Sequence, residues 1–282
     1  MNGTQPAERT ARALVALGTA AVLLSCPPAL ALNPSLDLQQ YGHSSQVLRA
    51  GFVRGIIRAI TQTPDGYLWL GTDLGIVRFD GVRAVPWTPP RGQQLPSVLV
   101  TALAAGRDGA LWIGTSQGLV SWNAGRLTHH TALSNMHITA LLEDRSGTIW
   151  AGTTATGPAK LCAFQTANAK CFGEDGTLGE FVWSLAEDRA GNVWVGARTG
   201  LWRWAPGPPS RYTSEPIVSS RILLTPTSGV AGVTVVLSGR VRDIGPEGRS
   251  GEAVRGLPST SSVRILFRDH EGALWIGTSA HG

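Results

Sequence analysis

Gly66-Tyr67-Leu68-Trp69-Leu70-Gly71-Thr72 returns four times along the chain, with small changes. The copies are Gly109-Ala110-Leu111-Trp112-Ile113-Gly114-Thr115, Gly147-Thr148-Ile149-Trp150-Ala151-Gly152-Thr153, Gly191-Asn192-Val193-Trp194-Val195-Gly196-Ala197 and Gly272-Ala273-Leu274-Trp275-Ile276-Gly277-Thr278. The steps from Trp to Trp are 43, 38, 44 and 81 residues. The last step is twice the usual one, and a worn copy lies half-way along it. This is Gly232-Val233-Thr234-Val235-Val236-Leu237-Ser238, with Val235 in the Trp slot. A period of about 40 residues marks a repeat architecture.

Each unit opens with an apolar run: Ile57 to Ile60, Val100 to Leu103, Ile138 to Leu142, Val182 to Leu185 and Val263 to Phe267. A polar turn ending in Gly follows, such as Asp144-Arg145-Ser146-Gly147. Asp bonds its own backbone in such turns and Gly accepts positive φ. After the Trp strand, a second Gly turn leads to a third strand, such as Leu119-Val120-Ser121-Trp122, and a fourth is expected near Arg126 to His130. Four short strands per repeat make one blade of a β-propeller. Helices are excluded because Gly or Pro interrupts every short segment. Leu68-Trp69-Leu70 is apolar throughout, the mark of a sheet buried on both faces. The Gly after each Trp strand is expected to leave room for a ring of the neighbouring blade.

The expected fold is therefore all-β, with propeller repeats over 57–282: five repeats, counting the worn one, plus part of a sixth. An open ring would expose strand edges, so the expectation is the N-terminal part of a longer, seven-bladed ring. Residues 32–56 form an N-terminal segment, within which Tyr41 to Arg54 could supply a closing outer strand.

Residues 1–31 carry the marks of a secretory signal. Arg9 and Arg12 form a basic start, Ala13 to Ser25 is apolar, and Ala29-Leu30-Ala31 is a small-residue cleavage site. Two alternatives stay open: lipidation of Cys26 after Leu23-Leu24-Ser25, and an uncleaved anchor. All three place the repeats outside the cytosol, in the periplasm. Cys162 and Cys171 flank Thr166-Ala167-Asn168, which reads as a hairpin turn. Cross-strand cysteines in an oxidising compartment are a candidate disulfide, against the alternative of two free buried thiols.

The net charge of +5 comes from scattered Arg residues. A nucleic-acid partner would need a basic stripe with interleaved aromatics, so none is expected. Gly114-Thr115-Ser116-Gln117-Gly118 matches a nucleophile elbow, but that elbow needs a strand-to-helix turn. Here the same positions recur as Gly71-Thr72-Asp73-Leu74-Gly75, so Ser116 sits in a variable turn. Glu143-Asp144 and Glu187-Asp188 recur at one turn of the repeat and read as structural. His129, His130 and His137 have no metal-ligand spacing and are expected on a solvated edge strand and loop. No phosphate loop or dinucleotide fingerprint is present. Catalytic residues, metal and cofactor are all expected to be absent. Trp69, Trp112, Trp150, Trp194 and Trp275 are the structural repeat positions. Trp87, in Pro86-Trp87-Thr88-Pro89-Pro90, is the candidate ligand-binding residue, expected in a loop.

The repeated Asp-x-x-Gly-x-Leu-Trp-Ile-Gly-Thr-x-x-Gly-Leu pattern resembles the two-component regulator propeller repeat. Ala31-Leu32-Asn33-Pro34-Ser35-Leu36-Asp37, followed by Gln40-Tyr41, is similar to the mature start of bacterial sensors that carry it. The resemblance implies a periplasmic input domain, followed in the family by a β-sandwich, a membrane helix and a cytoplasmic output module. The output is usually a histidine kinase, sometimes a diguanylate cyclase. Some members respond to polysaccharide fragments, so an extracytoplasmic ligand such as a carbohydrate is implied. The full-length protein is expected as a membrane-anchored homodimer. Two functions follow as expectations: a sensor that catalyses nothing itself, or a free secreted propeller acting as a lyase or protein scaffold.

Overall fold

The computed structural model describes residues 55–80, 82–165, 168–205, 207–213, 224–226, 232–237, 240–245, 250–252, 263–268 and 274–278. The signal segment, Cys26, Tyr41 to Arg54 and the turn residues Thr166 and Ala167 lie outside them. The chain divides into Met1–Arg49 and Ala50–Gly282, and the described residues belong to the second unit.

Every apolar opening run forms a strand, and the strands that follow it pair in sequence order. The first sheet is β1(Ile57–Gln62), β2(Leu68–Thr72), β3(Gly75–Phe79) and β4(Ala84–Trp87). The second is β5(Val100–Ala105), β6(Leu111–Thr115), β7(Gly118–Asn123) and β8(Arg126–His129). The third is β9(His137–Glu143), β10(Ile149–Thr154), β11(Leu161–Gln165) and β12(Asn168–Phe172). The fourth is β13(Val182–Glu187), β14(Val193–Ala197), β15(Gly200–Ala205) and β16(Ser210–Thr213). The worn repeat forms the fifth, β17(Leu224–Pro226), β18(Val233–Leu237), β19(Arg240–Ile244) and β20(Ser250–Glu252), and β21(Val263–Arg268) pairs with β22(Leu274–Thr278). All pairings are antiparallel. First strands lie beside first strands, β1 by β5, β5 by β9, β9 by β13, β13 by β17 and β17 by β21. The chain is thus all-β and built as propeller blades.

The turn before each Trp strand needs a left-handed residue. Gly66, Gly109, Gly147 and Gly191 stand there with φ of 89°, 82°, 81° and 82°, a region closed to most side chains. The hydrophobic clusters lie at the seams between blades. Trp69 and Ile76 pack with Val100, Ile113 and Val120 of the next blade. Ala102 and Leu119 pack with Ile138, Ile149 and Phe164. Trp150 and Leu161 pack with Val182, Val193 and Val195. Trp194 and Leu201 pack with Val233 and Val235. A sheet caught between two seams has no free face, and the fourth Trp strand is accordingly buried at every residue.

The glycine of the first three Trp strands does make room, though not for a ring. A Cβ on Gly71 would lie 2.6 Å from Val100 Cγ1, one on Gly114 2.6 Å from Ile138 Cγ2, and one on Gly152 2.5 Å from Val182 Cγ1. The tenant is the β-branched residue that opens the next blade. Beside it, the first strand carries one extra residue in a bulge: Arg58, Thr101, Thr139, Trp183 and Arg264. A bulge re-aims the side chain it carries. Thr101 Oγ1 donates to Ile138 O at 2.6 Å, and Thr139 Oγ1 donates to Val182 O, so each hydroxyl knits its blade to the next.

Candidate ligand surface

The acidic residues of the repeat hold turns. Asp144 Oδ1 accepts from the amides of Ser146 (2.9 Å) and Thr148 (3.0 Å), and Oδ2 accepts from Trp150 Nε1 at 2.8 Å. Burial works to raise its pKa, but the bonds from Ser146, Trp150 and Thr148 outweigh it and hold the carboxyl below its usual value. Asp188 does the same for Ala190, Asn192 and Trp194, and Oδ2 also accepts from Gly232 N of the next blade at 2.8 Å. In the first blade Thr63 takes the slot and accepts from Trp69 Nε1 at 2.9 Å. Glu143 and Glu187 staple blades together. Arg107 N donates to Glu143 Oε2 and Arg145 N to Glu187 Oε2, each at 3.0 Å. The guanidinium of Arg107 continues to the carbonyls of Asp144 and Arg145, both at 2.9 Å.

Trp69, Trp150 and Trp194 are buried and Trp112 half-buried. Trp275 stands in β22 opposite Phe267. Trp87 is not in a loop: it ends β4, where Pro86 is tolerated because the strand is at the sheet edge. Its ring meets Trp69 at 5.9 Å and Trp122 at 5.6 Å, filling the first seam. The histidine expectation also needs correction. His129 is exposed, but His130 stacks on Trp112 at 4.5 Å and meets Phe164 edge-on at 5.0 Å, closing the second seam. Burial, aided by the charge of His129, lowers its pKa to about 4. His137 is half-buried, and burial and then Arg58 lower its pKa too. Cys162 and Cys171 pair across β11 and β12 and are joined by a disulfide, with Cα atoms 4.0 Å apart. Ser116 lies in a strand-to-strand turn and donates to Ser97 Oγ at 2.9 Å. Among the described residues no group of three His, Cys, Asp or Glu could hold a metal ion.

One departure from the repeat lies at an end of the third blade. Two residues join β2 to β3, β6 to β7 and β14 to β15, but six, residues 155–160, join β10 to β11. The connector 173–181 is tied to this loop and to the next blade. Ala155 N donates to Glu180 O (3.2 Å), Ala159 N to Gly179 O (2.7 Å), Arg198 N to Phe181 O (2.8 Å) and Thr199 Oγ1 to Thr177 O (2.8 Å). Beside it opens a cleft of about 550 Å³ lined by Phe172, Glu174, Asp175, Thr177, Trp202 and Trp204. Trp204 meets Phe172 at 5.4 Å and Trp202 at 6.1 Å. A hydrogen bond and the charge of Lys160, 2.9 Å away, lower the pKa of Glu174, and bonds from Thr177 lower that of Asp175. Aromatic walls beside ionised carboxylates suit a ligand with apolar faces and hydroxyl donors. Sequence reading missed this cleft; the cue was the spacing after Thr153, where no glycine follows two intervening residues as Gly75, Gly118 and Gly200 do after Thr72, Thr115 and Ala197. A larger cleft, about 880 Å³, lies at the other end of the same seam, around the Arg145–Glu187 staple.

Five segments, residues 51–73, 94–117, 132–155, 176–199 and 256–280, match the family model of the two component regulator propeller. No curated protein matches the chain. Among solved structures, the chain is similar to the extracellular domain of BT4673 from B. thetaiotaomicron, described both as a one component and as a hybrid two component system. The identity is 19% and the TM-score 0.63, over 79% and 80% of this chain and 31% of that one. Virginiamycin B lyase from Staphylococcus aureus is 14% identical with a TM-score of 0.62, over 78% of this chain and 76% of that one. PorZ from Porphyromonas gingivalis, a surface component of the type-IX secretion system, is 14% identical with a TM-score of 0.57, over 79% and 37%. The chain thus spans about a third of the BT4673 domain, and these likenesses concern the fold.

Proposed function

We propose, from the premise that this chain carries five two component regulator propeller repeats, that it is the extracytoplasmic ligand-sensing propeller of a membrane-bound signal-transduction protein. The observation that carries this reading is the contrast between regular and irregular parts. The repeat positions hold turns and seams, while the departures from the repeat assemble an aromatic, carboxylate-lined cleft on one rim. The ligand would be a carbohydrate, stacking on Trp202 and donating hydroxyls to Glu174 or Asp175. The propeller catalyses nothing itself: the carboxylates of the repeat are engaged in turns, and Ser116 meets another serine. The output module would be a histidine kinase, acting as a homodimer anchored in the inner membrane. A ligand shifts such a receptor only by its differential affinity for two arrangements of the dimer.

The test uses the full-length protein in its own membrane, with plant and microbial oligosaccharides as probes. Autophosphorylation should change with one oligosaccharide class, and Trp202→Ala should weaken that response by about tenfold or more, the loss of one stacked ring at a binding centre. Turnover of an oligosaccharide, or a protein recovered free of membranes, would reject the sensor reading in favour of a secreted lyase or scaffold.

A further inference from the structure

One strand on from each Trp, the residue opposite it occupies a slot that faces the next blade. Trp69 stands opposite Arg78, Trp112 opposite Ser121, Trp150 opposite Ala163 and Trp194 opposite Arg203. The guanidinium of Arg78 lies 4.5 Å over the ring of Tyr67, and that of Arg203 lies 5.9 Å over Tyr212. Ser121 Oγ is bonded to His130 Nε2 at 3.0 Å, and His130 fills the second seam. Ala163 brings a single methyl to the third seam. Here the cleft of about 880 Å³ opens, with Ala163, Trp150 and Phe172 in its walls. The charges around it are unequally spent. Asp144 accepts from the amides of Ser146 and Thr148, the hydroxyl of Ser146 and the indole of Trp150. Glu187 is held by the amide and the guanidinium of Arg145. Lys170 is exposed at the rim, its ammonium 5.3 Å over Phe172, and it forms no ion pair among the described residues.

We propose that this cleft is a second binding site, and that its ligand is an anionic sugar chain of the uronate class. The apolar face of a sugar ring lies against Phe172 and Trp150, in space that an arginine side chain takes in the first and fourth blades. The sugar carboxylate meets Lys170, the cation left without a counter-charge. A neutral sugar finds the same walls and no use for the ammonium, so the charge sets the specificity. The cleft has the size of ordinary small-ligand sites, which run to roughly 1,000 Å³. The proposal goes beyond the sensor reading and does not depend on it, because it concerns binding at a separate cleft.

The test is calorimetric binding to the full-length protein in detergent micelles at low ionic strength. The probe is a galacturonate oligomer, and its control is a neutral galactose oligomer of the same length. The acidic oligomer should bind at least about tenfold more tightly, the lead given by one bond to a charged group, and added salt should shrink that lead. Ala163→Arg installs the residue that two other blades carry in this slot, so the fold should tolerate it. It should weaken acidic binding by about tenfold or more, because it fills the cleft. Lys170→Gln, at an exposed position, should bring the acidic oligomer down to the affinity of the neutral one, and it carries the test if Ala163→Arg fails to fold in thermal scans. Failure of the acidic oligomer to bind, or equal affinity for the two oligomers, overturns the proposal. So does undiminished binding in a folded Ala163→Arg protein. An acidic peptide that binds as tightly as the galacturonate assigns the cleft to a protein partner and overturns it too.

Discussion

One carboxylate, Asp144, takes the amides of Ser146 and Thr148 and the indole of Trp150, and fixes turn and strand together. Asp144→Ala leaves the two buried donors, Thr148 N and Trp150 Nε1, without an acceptor. The expected cost is about 2–4 kcal/mol, because unmet buried donors forfeit their desolvation energy. Urea unfolding monitored by tryptophan fluorescence measures it, and Asp144→Asn should recover part of the loss. Gly114 tests the opposite kind of constraint. Its added Cβ would stand 2.6 Å from Ile138 Cγ2 and 2.8 Å from Ile138 Cβ. Gly114→Ala should therefore destabilise by about 1–3 kcal/mol through overpacking. Combined with Ile138→Ala, the pair should cost at least about 0.5 kcal/mol less than the sum of the singles, since contacting residues couple. A double-mutant cycle in urea reads this directly.

At the level of the strand and hairpin, the third blade is tied by Cys162–Cys171 across β11 and β12. Reduction should lower stability by about 2–3 kcal/mol in the chain-entropy view of a short loop, seen as a lower urea midpoint in dithiothreitol. The second seam gives a pH signature. His130 is held neutral, with its pKa lowered from 6.5 to about 4. The unfolded chain binds the proton more readily, so this contribution to stability is complete above pH 6.5 and is lost progressively as pH falls towards 4. His130→Phe should flatten that slope in thermal unfolding scans across the same range. How far sequence could see is clear from these elements. The Trp strands were legible because one motif recurs in phase, and the Arg126–His129 strand followed from it. His130 was not legible, because the partner that buries it, Phe164, comes from the next repeat. Trp87 misled for a related reason: prolines on both sides signal a loop, but an edge strand tolerates Pro86. The cleft beside Trp202 was hidden because loops that escape a repeat carry no pattern to read.

Across the molecule, each blade contacts the blades beside it, so stability is a sum of blades and seams. The fifth blade has Val235 where the others carry an indole. Hydrogen exchange should therefore find the amides of β18 opening more readily than those of β14, since local stability follows local packing. Equal protection in the two strands would show that an indole adds nothing to its blade. The staples of Arg107 and Arg145 should matter less, because their side chains are more than half exposed. Arg145→Ala is expected to cost no more than about 1 kcal/mol in the same urea experiment.

Asp188 ties two blades through one atom, since one of its oxygens serves Trp194 and also Gly232 N in the following blade. The turn of the fourth blade and the backbone of the fifth thus hang on a single side chain, and removing it should loosen both together.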